Sequence, residues 1–332
     1  MLALTIVFAL ALALSGTSAQ ATDRFATVKL ATWNLEWLIS PAAFKTLKGQ
    51  CAPKGAQLSA NQRVIPCDVA QRMERSSRDF TTLASYAQRL DADVIALQEV
   101  DGVEAARLVF AGYEFCFSGG HHVQNIGFAI RPGLPKRCAP DVSELSLHDS
   151  VRRGVELVLF PGESREIHLL SIHLKSGCSS QPLDSGEKAC DTLARQVPFL
   201  KHWVDAQAAA NRRFVVLGDF NRTLLTEAGP ARSSSGRLQQ LWPAIDDVKS
   251  VTGRILVNAA AGQAFHNCVP GQAHATYIDH IVLSRGLAAL RVPGSFQRVT
   301  FSAADARHAR LSDHCPVSVT LDMRQIPGER LH

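Results

Sequence analysis

The chain has 332 residues, 46% of them hydrophobic and 20% charged, and its mean hydropathy of +0.01 excludes both a disordered polyelectrolyte and a polytopic membrane protein. Against 30 Asp and Glu stand 35 Lys and Arg, a formal charge of +5 that favours anionic partners without requiring them. The length suits two domains of average size or one large α/β or sandwich domain.

The first feature in chain order is an apolar run at residues 2–14, too short to cross about 30 Å of hydrocarbon. Small residues and an Ala-x-Ala ending follow it, at Ala19 and Ala21. Residues 1–21 therefore read as a secretory signal peptide, although no Lys or Arg precedes the apolar run. A secreted or periplasmic protein is expected, with one domain over residues 22–332, no transmembrane segment and a monomeric state.

Short apolar runs rich in Val and Ile predict strands at residues 29–33, 94–97, 126–130, 155–160, 167–172, 214–217, 278–283 and 317–321. Ser76-x-x-Asp79 reads as a capping box, with Phe80, Leu83, Tyr86 and Leu90 at helical spacing behind it. A second helix is predicted around Leu193, Val197, Leu200 and Val204, with Pro198 kinking it or marking its first turn. Residues 42–68, 178–189 and 229–236 read as loops. Many strands and few helices favour two packed sheets flanked by helices over a doubly wound parallel sheet, which needs a helix in nearly every crossover.

Eight cysteines in an exported chain predict disulfides. Nearest neighbours in sequence pair Cys51 with Cys67, Cys116 with Cys138, Cys178 with Cys190 and Cys268 with Cys315. No C-x-x-C occurs, which argues against a zinc site.

Polar residues stand where the apolar runs stop. Asn34 follows the first run, Glu99 the second and His173 the fifth; Asp219 and Asn221 follow Leu217-Gly218, and Asp313-His314 precede Cys315-Pro316-Val317. Strand ends form one rim of a sheet, so such residues converge on a cleft. Glu99, Asp313 and Asn34 are hard oxygen donors suited to Mg²⁺ or Mn²⁺, with Ca²⁺ also accommodated. Asp219-x-Asn221 puts both side chains on one side of an extended segment. Asp279 is placed to orient either His314 or His280. Neighbouring His121 and His122 read as loop or core residues.

Six segments, Trp33-Asn34-Leu35-Glu36, Leu97-Gln98-Glu99-Val100, Ser171-Ile172-His173-Leu174-Lys175, Leu217-Gly218-Asp219-Phe220-Asn221, Tyr277-Ile278-Asp279-His280-Ile281 and Leu311-Ser312-Asp313-His314-Cys315-Pro316-Val317, resemble in order the motifs of the endonuclease/exonuclease/phosphatase superfamily, which includes deoxyribonuclease I. The resemblance spans about residues 29–321. It implies a four-layer α/β sandwich with two packed mixed β-sheets flanked by helices, and metal-dependent hydrolysis of phosphodiesters or phosphomonoesters. By position, Asn34, Glu99 and Asp313 hold the metal, and Asp219 and Asn221 orient the attacking water and bind phosphate. His314, held by Asp279, is the general base, and His173 binds phosphate or protonates the leaving oxygen. Arg152 and Arg153 resemble a position that touches phosphate.

The chain also departs from the family. Members acting on abasic DNA carry a Tyr near the strand at Ile126, where Gln124 and Asn125 stand here, which argues against a repair role. Asn221-Arg222-Thr223 is formally a glycosylation sequon, and a glycan there would obstruct the cleft. The reading favoured is a secreted nuclease with nucleic acid as substrate. A sphingomyelinase-like phosphodiesterase, a sugar- or inositol-phosphate phosphatase and a catalytically silent polyanion binder are the alternatives. No exposed aromatic run for membrane entry supports the lipid reading.

Overall fold

The computed structural model describes residues 24–326 apart from 55, 57–61, 121, 248–254, 270–271 and 273–275. The expected signal peptide and His121 lie outside the described residues. Among the described residues, twelve strands run in chain order as β1 (Thr27–Leu38), β2 (Val94–Val100), β3 (Glu114–Phe117), β4 (Asn125–Ile130), β5 (Lys136–Cys138), β6 (Val155–Leu159), β7 (Ile167–His173), β8 (Phe214–Asp219), β9 (Leu256–Asn258), β10 (Asp279–Ser284), β11 (Gln297–Arg298) and β12 (Val317–Asp322). They form two six-stranded sheets, ordered β11-β12-β1-β2-β4-β3 and β5-β6-β7-β8-β10-β9. Each sheet is mixed: β1 runs parallel to β2 and antiparallel to β12, and β7 runs parallel to β8, which pairs antiparallel with β10.

The period-two alternation of the strands builds the layers. Val28 and Leu30 of β1, with Val317, Val319 and Leu321 of β12, point inward and meet Leu157, Leu169, Val215, Leu217 and Ile281 of the second sheet. The opposite faces are covered by helices. Ala31, Trp33, Ile95 and Leu97 pack under Phe80, Leu83, Tyr86 and Leu90 of the capped helix Ser77–Leu90. Leu170, Ile172, Phe214 and Val216 pack under Leu193, Val197, Leu200 and Trp203 of the helix Lys188–Ala209. Helix, sheet, sheet, helix is the four-layer α/β sandwich.

Two expectations need correction. Pro198 lies well inside the helix Lys188–Ala209 rather than in its first turn. Its ring is on the solvent face, where water can reach the carbonyl that the missing N–H leaves unbonded. Residues 42–68 are not all loop, because Ser40 caps a helix over Pro41–Lys48 and another begins at Cys67. Gly218 is fixed by sterics: its φ is +145°, and a Cβ there would sit 2.0 Å from the Ile172 carbonyl oxygen of the neighbouring strand.

All eight cysteines are bonded, in the four nearest-neighbour pairs. Cys116–Cys138 ties β3 of one sheet to β5 of the other, and Cys178–Cys190 closes the segment between β7 and the helix Lys188–Ala209. Nonreducing peptide mapping should recover these four pairs and no others. Replacing Cys178 and Cys190 by Ser should cost about 3 kcal/mol in denaturant unfolding, the loop-closure value for a short ring; an unchanged midpoint would show that this bridge does not constrain the chain.

Candidate active site

The ends of β1, β2, β7 and β8 lie along one edge of the sandwich. Because β10 and β12 run antiparallel to their neighbours, the start of each comes to the same edge. Strand register does much of the positioning: His173 of β7 pairs with Asp219 of β8, and Asp219 pairs with Asp279 of β10, so three site residues form one row across the second sheet. Asn34 and Glu99 reach the row from the first sheet.

Asp219 sits at the centre. Its carboxylate is 1% exposed and accepts hydrogen bonds from the Asn221 backbone N–H (2.7 Å), the Asn221 side-chain amide (3.0 Å) and the Asn34 amide (3.0 Å), with His173 Nε2 at 3.4 Å. Burial pushes this carboxyl up to about 7, against the opposing pull of a charged His314. His314 donates from Nδ1 to Asp279 Oδ2 at 2.8 Å, leaving Nε2 3.9 Å from Asp219 and 3.8 Å from Asp313. Burial opposes a charge on His314, but Asp279 and Asp219 together outweigh it and hold the ring well above the ordinary histidine range. His173 behaves oppositely: burial and then Arg152 hold it well below that range, and its Nδ1 has no hydrogen-bond partner. The main chain of His314 is pinned by Trp33 Nε1 on its carbonyl (3.1 Å) and by its N–H on Ser312 Oγ (3.0 Å).

A second set of groups is purely acidic. Register shifts between Asn34 and Leu38 and between Leu97 and Val100 bend β1 and β2 as they leave the sheet, and Glu36 (φ 45°), Trp37 (φ 55°) and Glu99 (φ 58°) adopt left-handed conformations there. The bend brings the Glu36 carboxylate to the Asp313 backbone N–H, at 3.1 Å. Burial, then Asp313 and Glu99, push the Glu36 carboxyl up to about 7, with Arg75 opposing. Glu36 was not among the residues singled out from sequence, although it lies two positions after Asn34. The Asn34 oxygen accepts from the Glu36 N–H (3.0 Å), and its amide nitrogen bridges Glu99 (3.3 Å) and Asp219 (3.0 Å), so Asn34 links the two sets.

The donor chemistry fits a hard divalent cation at Glu36, Glu99 and Asp313. These are oxygen donors, and the like charge that disfavours ionising Glu36 is what a cation would neutralise. Among the described residues, the cluster whose three donor atoms all lie within 4.8 Å of one another is a different one, Asp219, Asp279 and His314. There His314 Nδ1 is committed to Asp279 Oδ2, while the other carboxylate oxygen of Asp279 is buried without a hydrogen-bond partner.

Among the other expected residues, Arg152 is brought to the site and Arg153 is not. Burial lowers the Arg152 pKa while Glu99 and Asp219 draw it back; one terminal nitrogen donates to the Leu174 carbonyl (3.0 Å) and Nε has no partner. Arg153 instead pairs with Asp149 (2.9 Å) and lies 3.7 Å from Asp141. It borders a recess of about 810 Å³ that also includes Arg195 and Phe199 and none of the motif residues. Of the two histidines open to Asp279, His314 takes it. Buried His280 instead faces the Arg222 carbonyl (2.9 Å) and the Asn258 amide (3.1 Å). The Asn221 amide donates to the Leu174 carbonyl (3.1 Å) as well as to Asp219, and Thr223 is buried, so the folded chain does not present the sequon.

The sequence pattern of the Endonuclease/Exonuclease/phosphatase family matches residues 31–314. The chain belongs to this family. Membership makes it a phosphoric ester hydrolase, from a family that generally depends on divalent metal. Three solved structures share the fold at low identity. TDP2 of D. rerio, humanized by 14 mutations, is 14% identical with a TM-score of 0.53, covering 89% of this chain and 98% of its own. A 3'-5' exonuclease from Neisseria meningitidis is 16% identical with a TM-score of 0.53, covering 89% and 99%. An AP endonuclease from Archaeoglobus fulgidus is 12% identical with a TM-score of 0.54, also covering 89% and 99%. No curated protein matches the chain by sequence.

The raised Glu36 carboxyl has a testable sign. The folded chain keeps the Glu36 proton up to about pH 7, whereas the unfolded chain releases it in the ordinary carboxylate range. Folding stability contributed by this group therefore falls as pH rises through that window. In chelator, Glu36→Gln should melt progressively higher than wild type between pH 5 and pH 8. Adding Mn²⁺ should raise the melting temperature of wild type and not of the variant. A variant no more stable than wild type at pH 8 in chelator would contradict the crowding of charge described above.

Proposed function

We propose that the protein is an exported, divalent-metal-dependent nuclease that hydrolyses phosphodiester bonds of DNA, with RNA as a further substrate. The observation that carries this reading is the juxtaposition of an acidic set, Glu36, Glu99 and Asp313, with a row of His173, Asp219, Asp279 and His314, joined by Asn34 and by the approaches of His173 to Glu99 (3.7 Å) and of His314 to Asp313 (3.8 Å). Four disulfides agree with an oxidising destination.

Glu36, Glu99 and Asp313 would hold a divalent cation, which would neutralise negative charge on the phosphate. The remaining work falls to the chain's own side chains. Asp219 is the general base in this scheme: a carboxylate near pKa 7, fixed by three amide donors, accepts a proton from an attacking water without being a strong base at rest. That assignment moves the base away from His314. With Nδ1 committed to Asp279, a charged His314 directs an Nε2 proton at the phosphate and stabilises the charge developing there as the water oxygen bonds to phosphorus and the P–O bond to the leaving oxygen breaks, that oxygen taking its proton from solvent. Neutral His173 and the Asn221 amide position the phosphate oxygens from the other side, and Arg152 adds a fixed positive charge.

Purified protein is to be assayed on plasmid DNA, RNA, sphingomyelin and bis(p-nitrophenyl) phosphate. Chelation should abolish hydrolysis, and Mg²⁺ or Mn²⁺ should restore it better than Zn²⁺. His314→Ala should lose about 10² to 10³ in turnover, and Asp279→Asn about 10- to 100-fold. Full activity after exhaustive chelation would overturn the metal reading. Efficient cleavage of sphingomyelin with DNA and RNA left intact under every metal would replace the nuclease reading by the lipid one.

A further inference from the structure

Arg75 precedes Ser76, the N-cap of the helix Ser77–Leu90, and is 6% exposed. A guanidinium has five N–H groups, and the three nitrogens of Arg75 make five hydrogen bonds, every one to a backbone carbonyl. Nε donates to Arg310 (3.2 Å), one terminal nitrogen to Glu36 (2.9 Å) and Trp37 (3.0 Å), and the other to Leu35 (3.1 Å) and Leu311 (2.9 Å). These carbonyls belong to two segments only. Residues 35–37 carry Glu36 through the left-handed bend, and residues 310–311 lead into Asp313. The capping carboxylate adds a second strut, since one oxygen of Asp79 accepts from the Ser76 N–H (2.6 Å) and the other from the Arg310 N–H (2.7 Å).

We infer that Arg75 is a positioning residue for the cation site, its planar fork fixing the separation of the two segments that carry Glu36 and Asp313. The inference rests on the reading of Glu36, Glu99 and Asp313 as that site. Lysine keeps the charge but offers three donors on a flexible stem, so it cannot hold five carbonyls in one plane. Arg75→Lys thus separates the fork geometry from the charge.

The test is calorimetric titration of Mn²⁺ into wild type and Arg75→Lys, with melting curves in chelator. Cys116→Ser with Cys138→Ser serves as a control destabilised away from the site. The expected result is a Kd for Mn²⁺ weakened 10- to 100-fold in Arg75→Lys, the range for partners that orient metal ligands. Turnover at saturating Mn²⁺ should return to within a few-fold of wild type. The control should melt lower yet keep the wild-type Kd. If Arg75→Lys binds Mn²⁺ as wild type does while melting lower, Arg75 is structural only and the inference fails. Should Arg75→Lys not fold, Asp79→Asn, which weakens the second strut, must lose several-fold in Mn²⁺ affinity, and an unchanged Kd there also overturns it. Wild type that binds no Mn²⁺ would instead overturn the reading of the three carboxylates.

Discussion

Burying a carboxylate costs several kcal/mol unless donors replace its water, and the site is organised around one that is buried: Asp219. Its donors come from both halves of the sandwich, Asn34 from the end of β1 and Asn221 from the turn after β8. Below it, Gln98 of β2 donates to Ser171 of β7 and accepts from Thr32 of β1, a polar contact inside an otherwise apolar interface between the sheets. The two sheets are therefore held in one relative position at the edge where the chemistry sits. A shift of either would strip Asp219 of donors, and its charge would then be harder still to bury.

Around that centre the chain departs from regular conformation at the residues that bear function. Glu36, Trp37, Glu99 and Asn221 all have positive φ, and the strands leading to the first three carry register shifts. Such conformations cost of order 1–3 kcal/mol each and persist only where the surroundings over-determine them. Here the surroundings are identifiable. Arg75 binds the carbonyls of residues 35–37, the Glu99 carboxylate accepts from the Trp37 N–H, and Asp219 accepts from the Asn221 N–H. Regular strands supply rigidity and their distorted ends supply aim.

The inner strands were legible because they are buried on both faces and read as continuous apolar runs, which is why β1, β2, β4, β6, β7, β8, β10 and β12 were all anticipated. The four others, β3, β5, β9 and β11, are the edge strands of the two sheets and have only two to four residues each, too few for a periodic pattern. Asn34, Glu99, His173, Asp219 and His314 were legible because each follows or precedes such a run, and Asp279 because it interrupts one. Glu36 was quoted within a motif but not assigned, since an unbroken strand gives no sign of the bend that carries it to Asp313. Arg75 was invisible for a different reason: its acceptors are 38 to 236 residues away in sequence and are backbone atoms, which leave no trace in side-chain pattern. The choice between His314 and His280 for Asp279 likewise depended on geometry, because both flank the same strand ends.

The central claim is a division of labour: Glu36, Glu99 and Asp313 take the cation, while Asp219, Asp279 and His314 keep the protons. Anomalous diffraction from crystals equilibrated with Mn²⁺ tests it most directly. The account predicts a peak bounded by the carboxylates of Glu36, Glu99 and Asp313, with the His314–Asp279 hydrogen bond intact. A sole peak ligated by Asp219, Asp279 and His314 would contradict it.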